Sequence, residues 1–137
     1  MVLTEDEQVR LSEIVAMLIP ASTEFGVPGA DDPTIFAGIV VAAERDVEQT
    51  RTAIRDVDAL GDLEPAAMGA ALQRRAPEAA EHLQAITSEC YYRDPRVLDA
   101  IGVDPRPPFP KGYQVPQGDF SLLDPVRARG SIWREVD

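Results

Sequence analysis

One histidine, His82, and one cysteine, Cys90, stand among the 137 residues, and they bound the chemistry the sequence can offer. A zinc site needs several converging nitrogen or sulfur ligands, so these two would need carboxylates to complete one. A di-iron bundle uses the Glu-x-x-His motif twice, which a single histidine cannot supply. Serine–histidine catalysis would have to use His82, and no serine stands in a Gly-x-Ser-x-Gly turn. His82 lies between Glu78 and Glu89 on the polar side of its segment. The expected state is a solvated or carboxylate-paired imidazole, with general base as the remote alternative. Cys90 falls on the apolar side and is expected to be a buried structural thiol, because nothing cationic is evident to lower its pKa. Paired acids such as Asp31-Asp32 and Glu5-Asp6 are sequence neighbours whose side chains point apart, which suits a solvated face better than acid/base work. No Gly-x-Gly-x-x-Gly and no P-loop is present, so no nucleotide cofactor is expected in this chain.

Charge excludes further classes. The net charge of −11 would repel a nucleic-acid backbone and an anionic membrane surface. The longest apolar runs, 35–43 and 14–19, fall well short of the roughly 20 residues a spanning helix needs. The segment from Met1 to Glu7 is acidic, with neither a basic n-region nor a twin arginine. The expected location is therefore the cytoplasm, unless a partner carries the chain across a membrane. A lone cysteine agrees with a reducing compartment.

The elements follow from caps and periodicity. Thr4-Glu5-Asp6-Glu7 reads as a capping box, followed by Leu11, Ile14, Val15 and Leu18 at helical spacing up to Ile19-Pro20. A loop of about a dozen residues, 21–32, is long enough to suggest function. Asp32-Pro33 opens a second helix whose apolar stripe runs from Phe36 to Val57. Unbroken to Leu60, it would be about 40 Å long. Gly61 would end it. Glu64-Pro65, Ala76-Pro77 and Asp94-Pro95 open three further helices, and no segment alternates like a strand. The predicted fold is all-α: a small helical bundle over 1–103 and an extended, proline-rich C-terminal arm over 104–137.

Seven of the twelve prolines fall between Asp94 and Pro125, in a region that also carries aromatics. Disordered tails are poor in aromatics, whereas a proline-stiffened strap lying over another protein can present them at intervals. Arginine and tryptophan are enriched at binding hot spots. The candidate partner-binding residues are thus Tyr91, Tyr92, Tyr113, Phe120, Arg127, Arg129, Trp133 and Arg134. One or both rings of Tyr91-Tyr92 could instead complete the core.

Leu18-Ile19-Pro20-Ala21, Pro28-Gly29-Ala30, Tyr91-Tyr92 with Pro95 three residues on, and Pro108-Phe109-Pro110-Lys111-Gly112-Tyr113 occur in a characteristic order. In these elements, over roughly residues 8–113, the chain resembles the gluconate 2-dehydrogenase subunit 3 family. The resemblance implies a mostly helical, non-catalytic small subunit held against a large glucose-methanol-choline-type subunit. That partner would carry FAD and oxidise a sugar, glycoside or other alcohol. Secreted members of the family carry a twin-arginine signal, a point on which this sequence departs. A dissociable assembly chaperone for the same flavoprotein is the alternative, and an independent enzyme using His82 the remote one.

Overall fold

The computed structural model describes residues 2–106 and 118–130. The chain forms two compact units, Met1–Pro105 and Arg106–Asp137.

The first unit is a bundle of six helices, each opened by the signal its sequence carries. Helix α1 (Glu5–Leu18) begins at a complete capping box: the Thr4 hydroxyl accepts from Glu7 N, and the Glu7 carboxylate accepts from Thr4 N. Helices α2 (Pro33–Ala43) and α6 (Pro95–Ala100) start at Asp32 and Asp94. Each of these carboxylates accepts from the amide two residues on, and each is followed by a proline whose missing N–H costs nothing in a first turn. Helices α4 (Pro65–Arg75) and α5 (Pro77–Tyr91) also begin at proline.

One expected element is divided. The long helix from Asp32 towards Leu60 breaks at a 3-10 turn, Glu44–Asp46, which separates α2 from α3 (Val47–Asp58). Asp46 leaves the helical region, with φ −137° and ψ 76°, and its carboxylate caps Gln49 N. The Thr50 hydroxyl reaches Ala43 O at 3.0 Å, satisfying a carbonyl released by the break.

Helix α5 is the centre of the unit, packed by α2, α3 and α4, while α1 meets α3, α4 and α5. Leu11 and Val15 of α1, Ile39 of α2, Val57 of α3, Leu83 of α5 and Val97 of α6 are fully buried. Each such side chain contributes about 1.5–3 kcal/mol of transfer free energy. Arg51 on α3 holds the N-terminus down, bonding Glu7 at 2.7 Å and Val2 O at 3.2 Å.

The long loop is built rather than open. Ser22 and Val27 exchange backbone hydrogen bonds of 3.0 Å around a turn in which Gly26 adopts φ 64°. Ala30 N then bonds Ile19 O at 2.9 Å. A Cβ at Gly29 would meet Asp31 Oδ1 and stand 3.0 Å from Ala21 N, so any larger residue would have to displace the Asp31 side chain and push the loop backbone slightly apart.

In the second unit, residues 118–130 are exposed throughout. Phe120–Leu123 forms a 3-10 turn leading into the short helix α7 (Asp124–Ala128), which corrects the extended backbone expected for this part of the arm. Asp119 caps Ser121 N at 3.0 Å, and Pro125 occupies the first turn, where proline favours a helix start. Among the described residues, no helix is long and apolar enough to cross a membrane.

Candidate partner-binding surface

Tyr91 and Tyr92 occupy the end of α5 and part company there. Successive helical residues lie about 100° apart, so a pair at a bundle edge sends one ring in and one out. Tyr91 is 4% exposed, and its hydroxyl donates to Pro28 O at 2.9 Å. It ties α5 to the long loop, so its place among the partner-binding residues is corrected: it is a core residue. Tyr92 is 53% exposed and stands edge-on to Tyr91, with ring centroids 5.4 Å apart. Of the pair, Tyr92 alone leaves its ring exposed.

Phe120, Arg127 and Arg129 are exposed in the second unit, Phe120 at 59%. Leu122, Leu123 and Val126 are exposed beside them in sequence, so this short helical segment shows several large apolar side chains to its surroundings. Arg127 has Asp124 as an exposed partner at 3.4 Å. Tyr113, Trp133 and Arg134 lie outside the described residues.

The two residues with chemical potential are both placed differently from expectation. His82 is half-buried, and its Nε2 lies 2.8 Å from Thr50 Oγ1. Burial holds its pKa below the usual histidine value, opposed by the nearby negative charge of Asp46. Its partner is thus the α3 hydroxyl, in place of solvent or a carboxylate. Cys90 is half-buried instead of sealed in the core, and it borders a cleft also lined by Arg45 and Arg93. Burial and the charge of Glu89 push its thiol pKa up, and the two arginines oppose this without reversing it. A thiol in that state is a poor nucleophile near neutral pH. Among the described residues, no cluster of three or more histidine, cysteine or carboxylate side chains could hold a metal ion.

The cleft lies between the outward side of α2, the end of α5 and the start of α6, and encloses about 380 Å³. Ile35, Gly38 and Val41 form its α2 wall. Gly38 leaves the Cys90 sulfur in view, because a Cβ there would stand only 3.6 Å from it.

One organising residue escapes the sequence patterns. Arg96 on α6 bonds Asp32 through both terminal nitrogens, at 2.8 and 3.0 Å, and bonds Asp94 through Nε and Nη2 at 2.9 Å each. The guanidinium holds Asp32 down to about 2 and Asp94 below the ordinary carboxylate range. It therefore locks the starts of α2 and α6 together at the edge of the cleft. The two Asp-Pro starts were legible, but a ligand shared between them was not.

Compared with protein-family models, with curated proteins and with solved structures, the chain matches none of them.

Proposed function

We propose that this chain is a non-catalytic binding subunit. Its partner in this reading is a large FAD-dependent oxidoreductase of the glucose-methanol-choline type that oxidises a sugar, glycoside or other alcohol. The observation that carries the binding role is helix α2. From Pro33 to Ala43 it has no charged residue. A helix apolar on every side is expected to be buried on every side. Yet α5 covers it from within, while Val41 on the outward side is 62% exposed. An apolar face of this kind marks a contact surface. Tyr92 and the open apolar residues of 120–126 support the same reading.

The identity of the partner rests on the resemblance in Leu18-Ile19-Pro20-Ala21, Pro28-Gly29-Ala30, Tyr91-Tyr92 and the Pro-Phe-Pro-Lys-Gly-Tyr segment. Two of these have structural work in the first unit: Pro28 O accepts from Tyr91, and Gly29 allows the tight approach to Ala21. Co-expression with a glucose-methanol-choline-type flavoprotein from the same genome tests the proposal. A permanent subunit copurifies at equal stoichiometry, a chaperone leaves once FAD is loaded, and a flavoprotein that folds and purifies without the chain contradicts both.

A further inference from the structure

The α2 cleft has an electrostatic character unlike that of the chain around it. The protein carries a net charge of −11, yet two arginines, Arg45 beyond the end of α2 and Arg93 beyond the end of α5, line this one cleft. They share a single carboxylate, Glu89, at 3.6 and 2.8 Å. The other acid at the cleft, Asp94, shares Arg96 with Asp32, so the α6 end of the cleft carries one excess negative charge and the Arg45–Arg93 end one excess positive charge. The rest of the lining is mostly apolar: Ile35, Gly38 and Val41 from α2 and Pro95 from α6, with Thr34 the polar exception. One glutamate cannot neutralise two guanidinium groups, and each arginine retains a planar fork suited to a carboxylate.

We infer that this cleft receives a segment of a partner protein in which an aliphatic or aromatic side chain is followed closely by a carboxylate, the apolar group seated against Gly38 and Val41 and the carboxylate taken by Arg45 and Arg93. The inference rests on the binding-subunit reading and gives it a location and a chemistry. The positive Arg45–Arg93 end against the acidic Asp32–Asp94 end also fixes the orientation of such a segment. The volume of about 380 Å³ suits one or two side chains, near the lower end of ordinary ligand pockets.

Cys90 is the chain's single thiol and borders the cleft, so it reports occupancy directly. The test measures its reaction with neutral 4,4′-dithiodipyridine in the full chain, with and without an acetylated Leu-Asp-Leu-Glu amide peptide or its Leu-Asn-Leu-Gln counterpart. The acidic peptide is expected to slow the reaction at concentrations where the amide peptide does not. Salt and the exposed double substitution Arg45→Gln/Arg93→Gln are each expected to abolish that difference. The anionic aromatic reagent 5,5′-dithiobis(2-nitrobenzoate) supplies a second measurement. Its rate relative to the neutral reagent is expected to fall about fivefold or more in the same variant, as local steering charge is lost. Equal protection by both peptides, or an unchanged reagent ratio in a folded variant, overturns the inference. So does a dimer in solution whose Cys90 is protected without peptide, because a second copy then fills the cleft. A flavoprotein that copurifies while the peptides fail to discriminate removes the cleft alone. Peptide discrimination without a copurifying flavoprotein removes the partner's identity alone.

Discussion

His82 Nε2 on α5 lies 2.8 Å from Thr50 Oγ1 on α3, and the same hydroxyl faces Ala43 O at 3.0 Å and Asp46 O at 3.1 Å. The hydroxyl has one proton for these three neighbours; with Nε2 protonated it accepts from His82 and donates to a carbonyl, and with Nδ1 protonated it can donate to Nε2. The only histidine of the chain thus fastens the α2–α3 break to the central helix.

This arrangement sets a pH dependence. Burial lowers the native pKa of His82 below the ordinary histidine value of 6.5, so between those two values the unfolded chain binds more protons. Stability is expected to be full above pH 6.5, to fall as pH drops from there through the native pKa, and to level off below it. The single imidazole gives one resolved NMR titration, which should show a midpoint below that of the urea-unfolded chain. His82→Ala should remove this part of the pH dependence and cost about 1 kcal/mol, the net worth of a typical hydrogen bond. Turnover of an assembled complex should stay within a few-fold of the parent, whereas a loss of 10²-fold or more would give His82 a base's role.

Arg96 should govern the acid limb. Asp32, at about 2 in the folded chain against 3.8 for an ordinary aspartate, contributes stability that is present above about pH 4. That contribution is lost as pH falls towards 2, and Asp94 shifts in the same direction for the same reason. Arg96→Gln should raise both carboxylate pKa values and flatten the dependence of the urea midpoint on pH between about 4.5 and 2. An unaltered acid limb in the variant would mean that the clamp does not form in solution.

Thr87 carries a buried hydroxyl with no hydrogen-bond partner among the described residues. An unmade bond of this kind costs about 1–3 kcal/mol. Thr87→Val keeps the branched shape and removes the polar atom, so it should stabilise the protein by about 1 kcal/mol. The readout is a higher urea midpoint with an unchanged m-value.

Removal of residues 106–137 should leave the bundle folded. Every residue of the hydrophobic core, from Leu3 to Val97, belongs to the first unit. The helical circular dichroism per residue of that unit should persist. The thermal midpoint should move by less than about 4 °C, the shift that roughly 1 kcal/mol gives in a domain of this size.

What was legible in the sequence was local. Thr4 with Glu7, Asp32 with Pro33, and Asp94 with Pro95 each act within a few residues, so composition reveals them and the structure has them in place. The break at Asp46 was hidden because Val47, Ile54 and Val57 continue the apolar spacing across it, while the aspartate that opens α3 is followed by no proline. The contacts of His82 and Arg96 span 32 and 64 positions, distances at which no spacing rule operates. Cys90 was misplaced for a related reason: Arg45 reaches it only through the fold. The cleft depends on α2 being covered on one side only, which an apolar sequence cannot announce.

Copurification tests the central claim most directly. The chain is co-expressed with a glucose-methanol-choline-type flavoprotein from the same genome, in parent form and with Val41→Glu, which places a charge on the exposed side of α2. The account predicts a stable complex with equal amounts of the two chains and FAD held by the large one. It predicts that Val41→Glu weakens association by 2 kcal/mol or more, the scale of a hot-spot residue, while the small chain stays folded. A parent complex that forms with undiminished affinity in Val41→Glu would take the contact away from α2. A large chain that folds, loads FAD and turns over without ever binding this one would contradict the account itself.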